Sequence, residues 1–182
     1  MATSARCLDL ITVRRPTPAD RVRIQAMALR CSRSTMLARF HAPRRDISER
    51  HVAGLMHGPP LHHVLVGERA GNLVAFGSAS VIGPGVAELG VLVHDGAQGQ
   101  GIGTRLSDDL CEMAANCGIV ELRAQVTSGN IPAIRLLHGL SQRGLTGPWA
   151  WQQVTDGHEA SADLLPSRRR LHSTGHQLPA SA

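Results

Sequence analysis

The chain has 182 residues and 19.4 kDa, the size of one domain that buries roughly 70% of its unfolded surface without a disulfide or metal staple. Apolar residues at 42% and charged ones at 18% exclude a disordered chain, and 2% aromatics with no tyrosine argue against a stacking surface for nucleic acid. The formal charge of +5 rests on 19 basic residues, all arginine, which excludes a P-loop lysine, a Schiff-base lysine and a Ser-Lys dyad.

Residues 8–14 read as a strand that Pro16 ends. Thr17-Pro18-Ala19-Asp20 follows with the chemistry of a helix start: Thr17 as cap, Pro18 in the first turn, Asp20 closing a capping box. Ala19, Val22, Ala26 and Leu29 then form an apolar stripe expected to face inward. A second helix is expected over Thr35–His41 and a third over Ser48–Met56, which Gly58-Pro59-Pro60 stops.

The period then changes. His63–Arg69 and Leu73–Ile82 read as a hairpin turned at Ala70-Gly71-Asn72, and Val86–Val93 as a third strand. A Gly-rich turn leads into a helix from about Ile102 to Asn116, with Leu106, Leu110, Met113 and Cys117 expected inward. Val120, Leu122, Ala124 and Val126 alternate with polar residues as a half-buried strand, and Asn130–Leu140 is a helix with Pro132 in its first turn. Trp149–Val154 and Glu159–Leu165 form a last hairpin turned at Asp156-Gly157. The expected division is a flexible 1–7, a folded 8–165 and a disordered basic tail at 166–182. The element order predicts an α/β fold, its sheet mostly antiparallel, with a parallel step where a helix separates Val86–Val93 from Val120–Val126.

Cys7, Cys31, Cys111 and Cys117 form no CxxC pair and read as free thiols. Ten histidines show no HExxH spacing, so no metal is expected. No apolar run reaches the ~18 residues of a membrane helix and no signal peptide is visible, so a soluble cytoplasmic protein without a membrane or nucleic-acid partner is expected.

The stretch that carries chemistry is VAELGVLVHDGAQGQGIGT, Val86–Thr104. Glycines let the backbone turn its N–H groups toward a ligand, and the helix that starts there adds unpaired donors and the positive end of its dipole. Together they suit a diphosphate without a cationic side chain. Thr104 stands where a dinucleotide fingerprint begun at Gly99 needs glycine.

At these residues the chain resembles the GNAT acyltransferase superfamily, which binds acetyl-CoA. Gln98-x-x-Gly101-x-Gly103 matches its R/Q-x-x-G-x-G/A signature, with a strand before it and an amphipathic helix after it. Asn130-x-x-Ala133 is similar to the motif that opens that family's last helix, and TVRRPTPAD to its usual start. The resemblance covers residues 8–165 and implies a GNAT-type central sheet of about 6–7 strands flanked by helices.

It further implies that Val91, Leu92 and Val93 pair through their backbone with the pantetheine arm of acetyl-CoA. Gly99, Gln100, Gly101, Ile102, Gly103 and Thr104 are expected around its pyrophosphate. Asn130 is expected either to contact the cofactor or simply to cap the helix. Glu88 is ten residues before Gln98 in an otherwise apolar strand. A carboxylate there is expected to be partly desolvated and to serve as general base, the role of a Glu near this position in the protein-lysine acetylating branch. Many relatives carry a tyrosine acid seven residues after the Asn; here that position is Leu137, with His138 beside it.

The expected activity is acetyl transfer from acetyl-CoA to an amine by direct attack in a ternary complex. The resemblance of TMLARFH and the Ser48–Met56 helix to bacterial protein acetyltransferases favours a protein lysine over a small amine. The alternative from another class is a non-catalytic acyl-CoA-binding module.

Overall fold

Turn chemistry and alternation build the sheet. β1 (Ile11–Arg14) lies beside β2 (His62–Arg69), which turns into β3 (Asn72–Gly83) through Ala70 and Gly71 at φ 47° and 76°, the handedness that fits a two-residue hairpin. β4 (Val86–Val93), β5 (Glu121–Thr127), β6 (Ala150–Val154) and β7 (Gly157–Asp163) complete seven strands in the order β1-β2-β3-β4-β5-β7-β6. Neighbours are antiparallel except β4 and β5, which run parallel because a helix carries the chain back between them. The computed structural model describes residues 11–154 and 157–165. The flexible 1–7 segment, residues 8–10 of the first strand, position 156 of the last turn and the tail at 166–182 are expectations that lie outside them.

The helices are α1 (Asp20–Leu29), α2 (Arg33–Phe40), α3 (Glu49–Leu55), α4 (Ile102–Asn116) and α5 (Ile131–Gln142). Ser32, Ser48 and Asn130 cap α2, α3 and α5, each accepting a backbone N–H of the first turn. On one face of the sheet α1–α3 bury Ile24, Met27, Met36 and Val52 against Val64, Val66, Phe76 and Leu92. On the other, α4 and α5 bury Leu106, Leu110, Leu137 and Leu140 against Leu65, Ala75, Leu89 and Leu122. The result is a three-layer α/β/α domain.

Two expectations on α1 are corrected. Val22 and Leu29 are 72% and 62% exposed, and the inward stripe is Asp20, Ile24, Met27 and Ala28. Asp20 hides that stripe from a hydrophobicity reading because its charge is neutralised inside the protein rather than by water. Its carboxylate accepts from Arg14 at 2.7 and 3.0 Å and from Arg23 at 2.8 Å, and Glu68 closes the network 2.7 Å from Arg14. The capping box is also only half formed. Asp20 accepts the Thr17 N–H at 2.7 Å, but the Thr17 hydroxyl donates to the same carboxylate, so the helix starts at Asp20 rather than at Thr17.

Cys117, expected on the inner stripe with Cys111, is exposed, because α4 ends at Asn116 and Cys117 is its C-cap. Cys111 is buried, and that burial pushes its thiol up to about 12. Val120, expected as the first inward position of its strand, precedes β5 and is exposed. Among the described residues no helix is long and apolar enough to cross a membrane, and no group of three or more His, Cys, Asp or Glu could hold a metal.

Candidate active site

β4 and β5 share only three pairs, Val86, Ala87 and Glu88 with Glu121, Leu122 and Arg123. Beyond Glu88 the strands separate: β4 stays paired with β3 through Val93 and β5 with β7 through Thr127. The separation opens a cavity of about 710 Å³ between them. Its walls include Glu88–Val93 of β4 and Ala124–Val126 of β5, with Gly99, Gly101–Thr104, Asn130 and part of α2. Backbone groups of β4 that face the gap are a free strand edge, which an extended ligand can pair with.

At the wide end lies the Gly-rich turn. Gly101 is the N-cap of α4 at φ 79°, a left-handed conformation that only glycine adopts without strain. The first bond back into the helix is from the Arg105 N–H to the Gly101 carbonyl at 3.0 Å. Among the described residues the N–H groups of residues 99–104 have no backbone or side-chain acceptor. Donors left without acceptors beside the positive end of a helix dipole are what a diphosphate needs.

The turn is held from behind. Gln98 donates to the Val93 carbonyl at 3.0 Å and to the Thr35 hydroxyl at 3.1 Å. Asp95 accepts from the Ser32 N–H (2.8 Å), the Ser32 hydroxyl (2.6 Å) and the Thr35 hydroxyl (2.8 Å), tying the start of α2 to the turn. Burial pushes the Asp95 carboxyl up, but these hydrogen bonds outweigh it and hold it down at about 2. Gln100 is not part of the cavity wall; its side chain accepts from Arg69 at 2.6 Å and donates to the Gly96 carbonyl at 3.2 Å. Asn130 lines the cavity while its side-chain carbonyl caps α5 on the Ala133 N–H at 3.2 Å.

Glu88 stands at the apex, half-buried, where β4 and β5 part. Its surroundings differ from the sequence expectation because successive side chains on a strand point to opposite faces. Ala87, Leu89 and Val91 join the core beneath α4, while Glu88 shares the other face with Gly90, Leu92 and, across the β3 pairing, Ser78 and Ser80. No ion pair among the described residues includes Glu88. Leu137 is buried and lines the cavity; His138 is exposed, 6.0 Å from the Trp151 ring centroid and outside the cavity wall.

Sequence reasoning finds the α2 helix but not what it contributes. Ser34, Thr35, Ala38 and Arg39 form part of the cavity wall. Their i, i+1, i+4, i+5 spacing marks one helical face, yet nothing in it tells which β-strand that face meets.

The sequence matches the acetyltransferase (GNAT) family over residues 28–140. No curated protein matches the chain. Among solved structures it is similar to the GNAT domain of Streptomyces lividans PAT, at 24% identity and a TM-score of 0.72, covering 84% of this chain and 89% of that one. It is also similar to the putative acetyltransferase yncA of Salmonella typhimurium with its cofactor acetyl-CoA, at 23% identity, a TM-score of 0.66 and 95% and 99% coverage. The ribosomal-protein-S18-alanine N-acetyltransferase of Escherichia coli shares 19% identity and a TM-score of 0.59 over 85% and 91% of the two chains.

Proposed function

Because the chain belongs to the GNAT acetyltransferase family, we propose that it transfers an acetyl group from acetyl-CoA directly to an amine, with Glu88 as general base and a protein lysine among the acceptors. The observation that carries this reading is the wedge between β4 and β5, with six unpartnered N–H donors at its wide end and one carboxylate at its apex. Residues 99–104 would hold the pyrophosphate, and the edge of Val91–Val93 the pantetheine arm. An alkylamine is protonated at neutral pH, its pKa being near 10.4, so it attacks only after losing a proton. Glu88 accepts that proton, the amine nitrogen bonds to the thioester carbonyl carbon, and the carbon–sulfur bond breaks to release CoA as its thiolate, which takes up the second proton shed by the new amide nitrogen. Leu137 offers no proton, so in this reading the thiolate leaves without a side-chain acid.

Calorimetric titration with acetyl-CoA, followed by an acceptor screen that measures free CoA, tests the proposal. Binding without release of CoA to any lysine peptide or small amine would favour a non-catalytic acyl-CoA module instead. Gly101→Val gives a sharper check on the pyrophosphate site. A β-branched residue at φ 79° is strained by about 1–3 kcal/mol and turns donors away from the ligand. Acetyl-CoA affinity is expected to fall about 10- to 100-fold, the worth of one or two charge-assisted hydrogen bonds, with the circular dichroism spectrum retained. Unchanged affinity would remove the pyrophosphate from this turn.

A further inference from the structure

Arg39 is a polar group of the cavity wall to which the proposed chemistry gives no task. It sits near the end of α2, and its guanidinium lies so close over Gly90 that any side chain there would collide with it. Its other faces meet the rings of Phe40 and Phe76, 5.1 and 5.9 Å from its Cζ. Among the described residues its one hydrogen bond is long, 3.4 Å to the Ser78 hydroxyl, and its buried Nε has no partner. The carboxylate whose charge reaches it is Glu88, which forms no salt bridge with it.

A guanidinium carries five donors, and enclosing it unpaired is costly unless an anion completes the site. The glycine at position 90 gives the group room and the Phe40 and Phe76 rings lie within 6 Å of it, and a guanidinium fork matches a planar, two-oxygen partner. The pyrophosphate is not that partner. Gly90 is three residues before Val93, about 10 Å back along β4 from the end that leads to the phosphate turn, and one alternation from Glu88.

The surroundings point the same way. Beyond Phe40 lies a second cavity of about 410 Å³ whose wall includes Arg44, Arg50, His51 and His62. Arg44 stacks on Phe40 from 5.9 Å, and the His51 ring meets Phe40 edge-on at 5.8 Å. Burial, with Arg39 and Arg44 adding to it, holds the His51 imidazole below its usual range. His62 is tied to Ser80, the residue opposite Glu88, at 3.1 Å. Arg44 and Arg50 therefore add permanent positive charge to this face of the sheet, while His51 is held neutral.

We propose that Arg39 is a specificity-determining residue that binds a carboxylate carried by the acceptor, so that the amine acetylated at Glu88 belongs to an acidic acceptor. This inference rests on the acetyltransfer reading above. The carboxylate has two possible sources, a free amino acid or an acidic side chain beside the acceptor lysine of a peptide.

The test compares wild type, R39K and R39Q as full chains with acetyl-CoA. One arm uses L-amino acids against their carboxamides; the other uses a lysine hexapeptide with Asp beside the lysine against the same peptide with Asn. Expected is a 10- to 100-fold preference in kcat/KM for the acid in one arm, reduced in R39K and abolished in R39Q, with melting temperatures reported for all three. The arm that shows the preference identifies the source. Absence of preference in both arms, or its survival in R39Q, overturns the proposal. So does a preference on the acyl side instead, for succinyl-CoA over acetyl-CoA.

If no amine is acetylated, the acetyltransfer reading fails separately. The anion site is then judged by saturation-transfer NMR with N-acetylglycine and N-acetylglycinamide in the presence of CoA. Contact with the acid alone, lost in R39Q, supports it; equal contact with both overturns it.

Discussion

Replacing Glu88 with glutamine is expected to lower kcat/KM by about 10²- to 10⁴-fold, the usual worth of a positioned base. Glutamine keeps the size and the hydrogen-bonding reach of the side chain but cannot accept a proton. Acetyl-CoA affinity should barely move, because the proposed cofactor contacts are backbone groups of β4 and of residues 99–104 rather than Glu88. The pH profile separates the base from a structural role. In the variant, solution must supply the neutral amine, so the remaining rate should climb about tenfold per pH unit toward the amine pKa near 10.4. In the wild type the rise with pH should be shallower, since Glu88 takes the proton inside the complex. The measurement is kcat/KM against pH for both proteins with one responsive acceptor. Near-native rates in Glu88→Gln would make Glu88 structural and leave deprotonation to water.

Asp20→Ala should lower stability by about 1–3 kcal/mol, because it strips the shared acceptor from a part-buried network. Asp20 is 0% exposed and accepts from Arg14, Arg23 and Thr17; without it Glu68 alone faces two arginines. For a chain of this length the melting temperature should fall by about 2–12 °C. Asp20→Asn keeps the shape and an acceptor for the Thr17 N–H, so its loss should be smaller. The acid side gives an independent check. Hydrogen bonds from Arg14 hold the Asp20 carboxyl well below the usual carboxylate range, against the opposing effect of burial. A depressed folded pKa means that the stabilisation is complete above the unfolded value near 3.9 and is lost as pH falls below it. Wild type should therefore lose stability between about pH 4 and 2 more steeply than Asp20→Asn, by urea unfolding at each pH. Equal melting of wild type and Asp20→Ala at pH 7 would show that the network contributes nothing net.

What can be read without the structure is whatever neighbouring residues encode among themselves. Period-2 alternation marks β5, Ala70-Gly71 marks the β2–β3 turn, Ser48 and Asn130 mark helix starts, and the run Gln98–Thr104 between a strand and a helix marks a Gly-rich turn. Each of these is a contest decided within a few residues, by sterics at φ > 0 or by orphan N–H groups seeking an acceptor.

The rest was decided by residues far apart in the chain. Two stripes on α1 could have been buried, and the one containing Asp20 won because Arg14, six residues away, and Glu68, on another strand, complete its charge network. The surroundings of Glu88 depended on which face of β4 meets α2, and the neighbours adjacent to it in sequence point away from it. Arg39 gives no local sign of a role: it is one arginine among 19 until α2 crosses β4 and sets its guanidinium on Gly90 beside the apex of the wedge. Local backbone preference fixes which elements form, whereas burial of charge depends on partners that only the folded chain brings together.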